Sequence, residues 1–439
     1  MKIAVIGTGY VGLVQGVILA EFGMQAICVD VDSTKIKALN SGIIPIYEPG
    51  LKEIMDKNVA CGRLHFSTDI AHAITQSKAI FIAVGTPPQE DGSADLKHVI
   101  EVANKIGDSI NSYKVIINKS TVPVGTGELV RQTIQKRLNA RDVNLEFDIV
   151  SNPEFLQEGK AINGCLNPDR VVIGADSTAA IEIMKKIYHS HKMRDIPFVI
   201  TDIKSAEMIK YAANAFLAVK ISFINEISRL AEACGANTSA IAHGMGLDPR
   251  IAPDFLQCGP GYGGSCFPKD TKAIVNIAEH YGESLKIIEA AIIANDIQKQ
   301  RMVEKIIKNM GNLSNKTITI LGLSFKPDTD DMRDAPALYI IPELIKQGAN
   351  IHTYCPEGMS ESKWRLKDYD SKITYYNDEY QACNGADAVV ILTQWNRFSS
   401  LDLSMIKQHV HNDYFFDLRN VFVEDKQIRN MFKYFPVGQ

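Results

Sequence analysis

Residues 2–12 read Lys-Ile-Ala-Val-Ile-Gly-Thr-Gly-Tyr-Val-Gly, a short apolar run that closes on Gly7, Gly9 and Gly12 at the head of a helical pattern. Few local sequences restrict a fold as much. The first glycine permits a tight strand-to-helix turn, the second lets backbone approach a pyrophosphate, and the third lets the helix pack close to the strand. Lys2 to Ile6 is then a strand, Val11 to Phe22 a helix and Gln25 to Asp30 a second strand, which makes one βαβ unit. Asp30 follows Gly12 by 18 residues, close to the roughly 20 expected for a carboxylate that accepts from an adenosine ribose hydroxyl and repels a 2′-phosphate. The turn residues Gly7, Gly9, Tyr10, Val11 and Gly12 with Asp30 therefore point to NAD rather than NADP. Lys35 alone would suit a 2′-phosphate, and Asp32 reads as a helix N-terminal acid.

Short β-branched runs continue at Ala79–Val84, Lys114–Asn118, Phe147–Val150 and Val171–Ile173, the pattern of an open, parallel α/β sheet. Two of them feed Val84-Gly85-Thr86-Pro87-Pro88 and Ser120-Thr121-Val122-Pro123-Val124-Gly125-Thr126. Ligands of such sheets lie at the carboxyl ends of the strands, so Thr86 and Thr121 are expected to point hydroxyls at the cofactor. From Asp202 to about Met310 strands give way to helical stretches, Ser205–Gly235 and Leu285–Met310. Alternation resumes at Thr317–Leu323, Asn350–Tyr354, Ala388–Leu392 and Tyr414–Asp417. The expected fold is α/β, two Rossmann-like doubly wound domains joined by a central helical region, with domains at 1–201, 202–310 and 311–439. Each α/β end opens with a strand running into a glycine, Gly7 or Gly322, as a diverged pair would.

Composition narrows the function classes. With 47 Lys and Arg against 51 Asp and Glu the net charge is -4, so no global field exists to hold a nucleic acid. The apolar runs fall far short of the roughly 20 residues a membrane span needs, and the N-terminus enters a strand without a secretory pattern. A cytoplasmic protein is expected, with no membrane or nucleic-acid partner. Its eight cysteines show no C-x-x-C pair and no zinc-finger spacing, so no metal site is expected and most should be plain packing thiols.

Cys266 differs from the other seven. It lies in Gly259-Pro260-Gly261-Tyr262-Gly263-Gly264-Ser265-Cys266-Phe267-Pro268-Lys269-Asp270, a glycine-rich loop that feeds a helix. A thiol at a helix start beside Lys269 should ionise readily and act as a nucleophile. Cys258 is the nearest rival and lacks a charged neighbour. Lys210 and Asn214, four apart on an otherwise apolar helix, share a face suited to a ligand oxyanion. Glu154 and Glu158 are likewise expected to share a helical face, and Asp270 and Glu154 are candidates for handling water.

GTGYVG, VGTPP, STVPVGT, NPEFLQEG, MIKYAANAF, GPGYGGSCFPKD and GLSFKPDTDDMRDAP occur in that order. Together they resemble the UDP-glucose 6-dehydrogenase family of nucleotide-sugar dehydrogenases over almost the whole chain. The resemblance implies an N-terminal NAD domain, a central dimerisation region and a C-terminal domain for the sugar's nucleotide. It assigns NAD contacts to Asp30, Lys35, Thr86, Thr121, Glu158, Lys269 and Arg333. It assigns substrate contacts to Glu154, Phe155, Leu156, Gln157, Glu158, Lys210, Asn214, Phe255, Leu256, Gln257, Cys258, Gly259, Gly263 and Lys326, with Arg419 beside them. Arg250 resembles an arginine that reaches the partner subunit's substrate, so a homodimer or larger homo-oligomer is implied.

The implied reaction is a four-electron oxidation of UDP-glucose that consumes two NAD per sugar. Cys266 explains the second oxidation, since its thiolate can trap the aldehyde as a thiohemiacetal and carry the resulting thioester. The alternatives are another nucleotide sugar, GDP-mannose or a UDP-N-acetylhexosamine; a two-electron hydroxyacid dehydrogenase on the same plan; and an NAD-responsive binding protein without turnover.

Overall fold

The computed structural model describes every residue from 1 to 439. The chain divides into two compact units, residues 1–213 with 276–282 and residues 214–275 with 283–439.

The first unit is built on eight strands: β1 (Lys2–Ile6), β2 (Gln25–Val29), β3 (Leu64–Ser67), β4 (Ala79–Ile82), β5 (Lys114–Asn118), β6 (Phe147–Ser151), β7 (Val171–Ala175) and β8 (Phe198–Thr201). Their order is β3-β2-β1-β4-β5-β6-β7-β8, and its first six strands follow the dinucleotide-binding arrangement. Ile3 and Val5 of β1 enter the core on one face of the sheet, while Ala4 and Ile6 enter the core on the other. A parallel sheet covered on both faces requires this double burial.

The expected all-parallel sheet needs one correction. β7 runs antiparallel to β6, and β8 pairs parallel with β7. Residues 152–170 carry only the six-residue helix Ala161–Leu166, too little for a covering crossover, and an antiparallel neighbour needs none.

In the second unit β9 (Thr317–Leu321), β10 (Asn350–Tyr354), β11 (Ile373–Tyr375), β12 (Ala388–Ile391), β13 (Tyr414–Asp417) and β14 (Lys433–Pro436) form a sheet ordered β11-β10-β9-β12-β13-β14. All its pairs are parallel, and a single large core surrounds it.

Five helices position the functional residues: α1 (Tyr10–Glu21), α2 (Thr126–Ala140), α3 (Ile203–Cys234), α4 (Phe267–His280) and α5 (Lys286–Met310). α3 is 32 residues long, about 48 Å at the usual rise. Its first eleven residues belong to the first unit and the rest to the second. No helix is long and apolar enough to cross a membrane.

Candidate active site

In the first unit, β1 delivers the chain into Gly7, whose φ of +102° only glycine adopts easily, and a Cβ there would stand 2.5 Å from the Ala83 carbonyl oxygen. A Cβ on Gly12 would stand 2.0 Å from the Gly7 oxygen, whereas one on Gly9 would meet nothing within 4 Å. α1 starts at Gly9 with no side-chain cap and no acid in its first turn. Its first N–H groups thus have no side-chain cap, the condition for receiving a pyrophosphate. The residues fit NAD.

Asp30 accepts from Thr8 N at 2.9 Å, from Thr8 Oγ1 at 2.7 Å and from Asp32 N at 3.0 Å, and pairs with Lys35 at 3.3 Å. Burial pushes its carboxyl up, but the Thr8 and Asp32 hydrogen bonds and Lys35 outweigh burial and hold it below the usual range. Lys35 is therefore engaged by the ribose-side acid, which weakens its suitability for a 2′-phosphate. Asp32 caps the next helix through Thr34 N and Lys35 N, as expected.

The loops after β4 and β5 are tied together. Thr86 Oγ1 donates to the Thr121 carbonyl at 2.8 Å and Ser120 Oγ to the Val84 carbonyl at 2.7 Å. The Thr86 hydroxyl proton is thus given to Thr121, and the oxygen's lone pairs are what that hydroxyl has left to offer a cofactor.

Lys210 is buried and pairs with Glu154 at 3.0 Å. Burial alone would raise the Glu154 carboxyl; Lys210, with the Leu156 N–H and Lys119, holds it below its ordinary value. The shared helical face of Glu154 and Glu158 is not formed. Residues 152–157 are not helical, because Glu154 folds back to accept from Leu156 N at 2.5 Å and so replaces a helical ladder bond. The Phe155 ring lies under the Arg170 guanidinium at 3.8 Å. Leu156 packs on the sheet's core, while Gln157 is exposed and Glu158 half-buried.

In the second unit Cys266 immediately precedes α4, and its carbonyl accepts the first helical bond from Asp270 N at 2.8 Å. The thiol is part-exposed and lies 3.5 Å from Ser265 Oγ. Asp270 is fully buried and accepts from Asn214 Nδ2 and from Lys269 Nζ, both at 2.6 Å. The ammonium expected to activate the thiol is thus hydrogen-bonded to Asp270.

The glycine-rich loop is fixed from below. Asn225 Oδ1 accepts from Gly259 N at 2.9 Å, Asn295 Oδ1 from Tyr262 N at 2.7 Å, and Gln298 Nε2 donates to the Gly259 carbonyl at 2.8 Å. A Cβ on Gly263 would stand 2.4 Å from the Asp334 oxygen. Phe255 adopts φ +65° and stacks edgewise on Phe267, Leu256 and Cys258 are buried, and Gln257 is exposed. Burial pushes the Cys258 thiol up to about 11, which makes it a poor nucleophile.

Arg419 donates to the Leu392 carbonyl at 2.9 Å and the Phe325 carbonyl at 3.1 Å, beside Lys326, and burial pushes its guanidinium down to about 10. Arg333 pairs with Asp331 at 2.8 Å, while its carbonyl accepts from Gly264 N. Arg250 projects into solvent, paired only with its neighbour Asp248. Of the seven cysteines assigned to packing, five are buried; Cys61 and Cys234 are exposed and pack little.

Several supporting residues escaped the sequence reading. Glu48 accepts from Gly159 N at 2.7 Å and Ala161 N at 2.8 Å, and the Tyr10 hydroxyl also donates to it. Glu207 accepts from Gly125 N and Gly127 N, each at 2.7 Å, and so caps α2 from the side of α3. These acids lie far in sequence from the groups they hold, and nothing local marks them. Asn225 and Gln298 share their helix faces with other buried polar residues, Ser222 and Ser228 in one case and Asn295 in the other, so neither stands out in the sequence.

Three family models match in sequence order: the UDP-glucose/GDP-mannose dehydrogenase NAD binding domain at 1–192, the central domain at 204–297 and the UDP binding domain at 319–424. The chain belongs to the UDP-glucose/GDP-mannose dehydrogenase family. It is 47% identical over 438 residues to UDP-glucose 6-dehydrogenase TuaD of Bacillus subtilis, covering 100% of this chain and 93% of that protein. It is 45% identical to UDP-glucose 6-dehydrogenase of Rhizobium meliloti, covering 100% of both. A UDP-glucose dehydrogenase structure from Pyrobaculum islandicum superposes with a TM-score of 0.90 at 34% identity, covering 99% of this chain and 97% of that one. The fold is thus the family's pair of α/β sheets linked through long helices, and the cofactor is NAD.

Proposed function

We propose that this chain oxidises the C6 alcohol of UDP-glucose to the carboxylate of UDP-glucuronate, with two NAD reduced per sugar. Cys266 carries the reading: of the eight thiols it alone stands at the head of a helix in a glycine-rich loop, part-exposed and next to a fixed Lys-Asp-Asn group. Full-length identity of 45 to 47% to proteins named UDP-glucose 6-dehydrogenase favours this sugar over GDP-mannose or a UDP-N-acetylhexosamine.

Bound NAD supplies the hydride acceptor. Lys210 and Asn214 stabilise the alkoxide and the later oxyanion, a role worth roughly 3 kcal/mol per donor. The Cys266 thiolate adds to the aldehyde carbon, loss of a second hydride leaves the thioester, and water releases acid and thiol. Asp270 and Glu154 orient or deprotonate that water. Asp30, Lys35, Thr86, Thr121, Glu158, Lys269 and Arg333 contact NAD. The loop from Phe255 to Gly259, Gly263, Lys326, Arg419 and the segment Glu154 to Glu158 contact the sugar nucleotide.

Residues 1–201 would form the NAD domain, 202–310 a dimerising and catalytic region, and 311–439 the nucleotide domain of a cytoplasmic homodimer in which Arg250 reaches the partner's substrate. Wild type should release two NADH per UDP-glucose and turn over neither GDP-mannose nor UDP-N-acetylglucosamine. Cys266→Ala should bind NAD yet form no acid. A variant that still yields two NADH per sugar would sink the proposal, and a wild-type ratio of one would favour the hydroxyacid dehydrogenase reading.

A further inference from the structure

Within the second unit, α3 grips both ends of the segment that leads through Phe255 to Gly259. Asn225 holds the far end through Gly259 N. Earlier on the same helix, the half-buried Lys220 holds the near end: its ammonium donates to the Ile251 carbonyl at 3.0 Å and to the Ala252 carbonyl at 3.4 Å. Asp248, the acid at the start of this turn, is taken up by the Arg250 guanidinium. Lys220 thus serves backbone, and the reaction above gives it no part.

The turn it holds is one that its own residues disfavour. After the helix Thr238–Gly246, the Asp248 carbonyl accepts from Ile251 N and Ala252 N, both at 2.9 Å, and the chain bends back. Ala252 takes φ +61° and Phe255 φ +65°. Positive φ brings a side chain's Cβ against backbone oxygen, so residues other than glycine seldom adopt it. Ala252 also precedes Pro253, whose ring restricts it further. Residues in such conformations persist only where their surroundings over-determine them. Gly246 backs the turn on one side, where a Cβ would stand 2.8 Å from Pro253 Cα. Lys220 supplies a second hold, on the carbonyls themselves. Three residues on, the Phe255 ring meets Phe267, the residue after Cys266, with centroids 6.0 Å apart. The turn therefore sets both the loop and an aromatic contact beside the nucleophile.

We propose that Lys220 is a positioning residue for the sugar nucleotide: it touches neither ligand, and it aligns Phe255 to Gly259 by keeping Ile251 and Ala252 in their strained turn. This rests on the assignment of that loop to UDP-glucose.

Steady-state kinetics of the full-length enzyme test it, with UDP-glucose and NAD varied in turn. Lys220→Met should raise the KM for UDP-glucose about tenfold and leave that for NAD within about twofold, whereas a merely destabilising change lowers the active fraction and so kcat alone. Lys220→Arg, which can still donate to both carbonyls, should stay within about threefold of wild type. Ala252→Gly added to Lys220→Met should lower the raised KM by about threefold or more, because glycine takes positive φ without the clash. The proposal is overturned if Lys220→Met leaves the KM for UDP-glucose within about twofold, if both KM values rise together, if Lys220→Arg loses as much as Lys220→Met, or if Ala252→Gly recovers nothing, which would put the ammonium on the ligand itself. Should Lys220→Met not fold, Lys220→Gln, whose shorter chain stops short of the carbonyls, takes its place under the same criteria. A wild type that does not turn over UDP-glucose sinks the assigned substrate and this proposal with it; normal wild-type turnover beside an unmoved KM in the variant sinks this proposal alone.

Discussion

Lys210 and Glu154, 3.0 Å apart with side chains 4% and 7% exposed, form the kind of ion pair whose separation is costly and whose joint removal is not. Lys210→Met leaves Glu154 dry and uncompensated and should cost about 3 to 5 kcal/mol in denaturant unfolding. Adding Glu154→Gln should restore part of that loss; strictly additive losses would show that the pair is not coupled. Glu207 behaves differently. Burial pushes its carboxyl from 4.5 up to about 7, against the pull of the Gly125 and Gly127 N–H groups. A folded-state value above the unfolded one means that its contribution is full below about 4.5 and is lost as pH rises through 7. The stability of wild type relative to Glu207→Gln should therefore fall by up to about 3 kcal/mol over that window. A difference that stays flat with pH would contradict the assignment. At this scale legibility followed chain distance. Cys266 was visible because its glycines, Lys269 and Asp270 are sequence neighbours. Glu207 was not, because its partners lie some eighty positions away and a lone helical glutamate reads as a solvated one.

Gly9 and Gly12 open the same helix under opposite constraints. Gly9 has open space where a Cβ would go and an ordinary φ of -69°, while Gly12 has none. Gly9→Ala should keep the thermal midpoint of wild type and weaken NADH tenfold or more in a fluorescence titration, because the methyl occupies ligand space alone. Gly12→Ala should lose NADH affinity and about 1 to 3 kcal/mol of stability together. If Gly9→Ala binds NADH as wild type does, the turn is not the pyrophosphate site. Ten of the fourteen strands were legible from their apolar runs, and most of their ends fell within two residues of expectation; the four edge strands β3, β8, β11 and β14 were not. The reversal of β7 was not, since strand direction leaves no trace in a five-residue run. The suspected pairing of the two α/β halves gains a physical basis. Gly7 and Gly322 both have positive φ, and both sit where a Cβ would strike the chain just past the fourth strand of their sheet, at Ala83 and at Thr393. Each sheet also threads its first six strands in the same order.

For the whole molecule, apolar side chains left in solvent occur along the chain from Val31 to Met405, but three of them fall in one row. Phe216, Phe223 and Leu230 are 65%, 44% and 63% exposed, and their spacing of seven lines them along one side of α3. Such a row of exposed apolar side chains suits an association surface, which supports the proposed homodimer. Leu230→Glu should shift wild-type dimer towards monomer in sedimentation velocity at equal concentration; a monomeric wild type would remove the basis for the Arg250 role. The two compact units part between Ala213 and Asn214, within α3, and again between Val275 and Asn276, within α4, as well as after Gly282. Most domain borders are loops, where a gene can be cut or joined without harm. Here a break would leave a helix stump with four bare carbonyls on one side and four bare N–H groups on the other. A cut within α3 therefore costs both halves a helix end, so the two folds separate less readily there than at a loop.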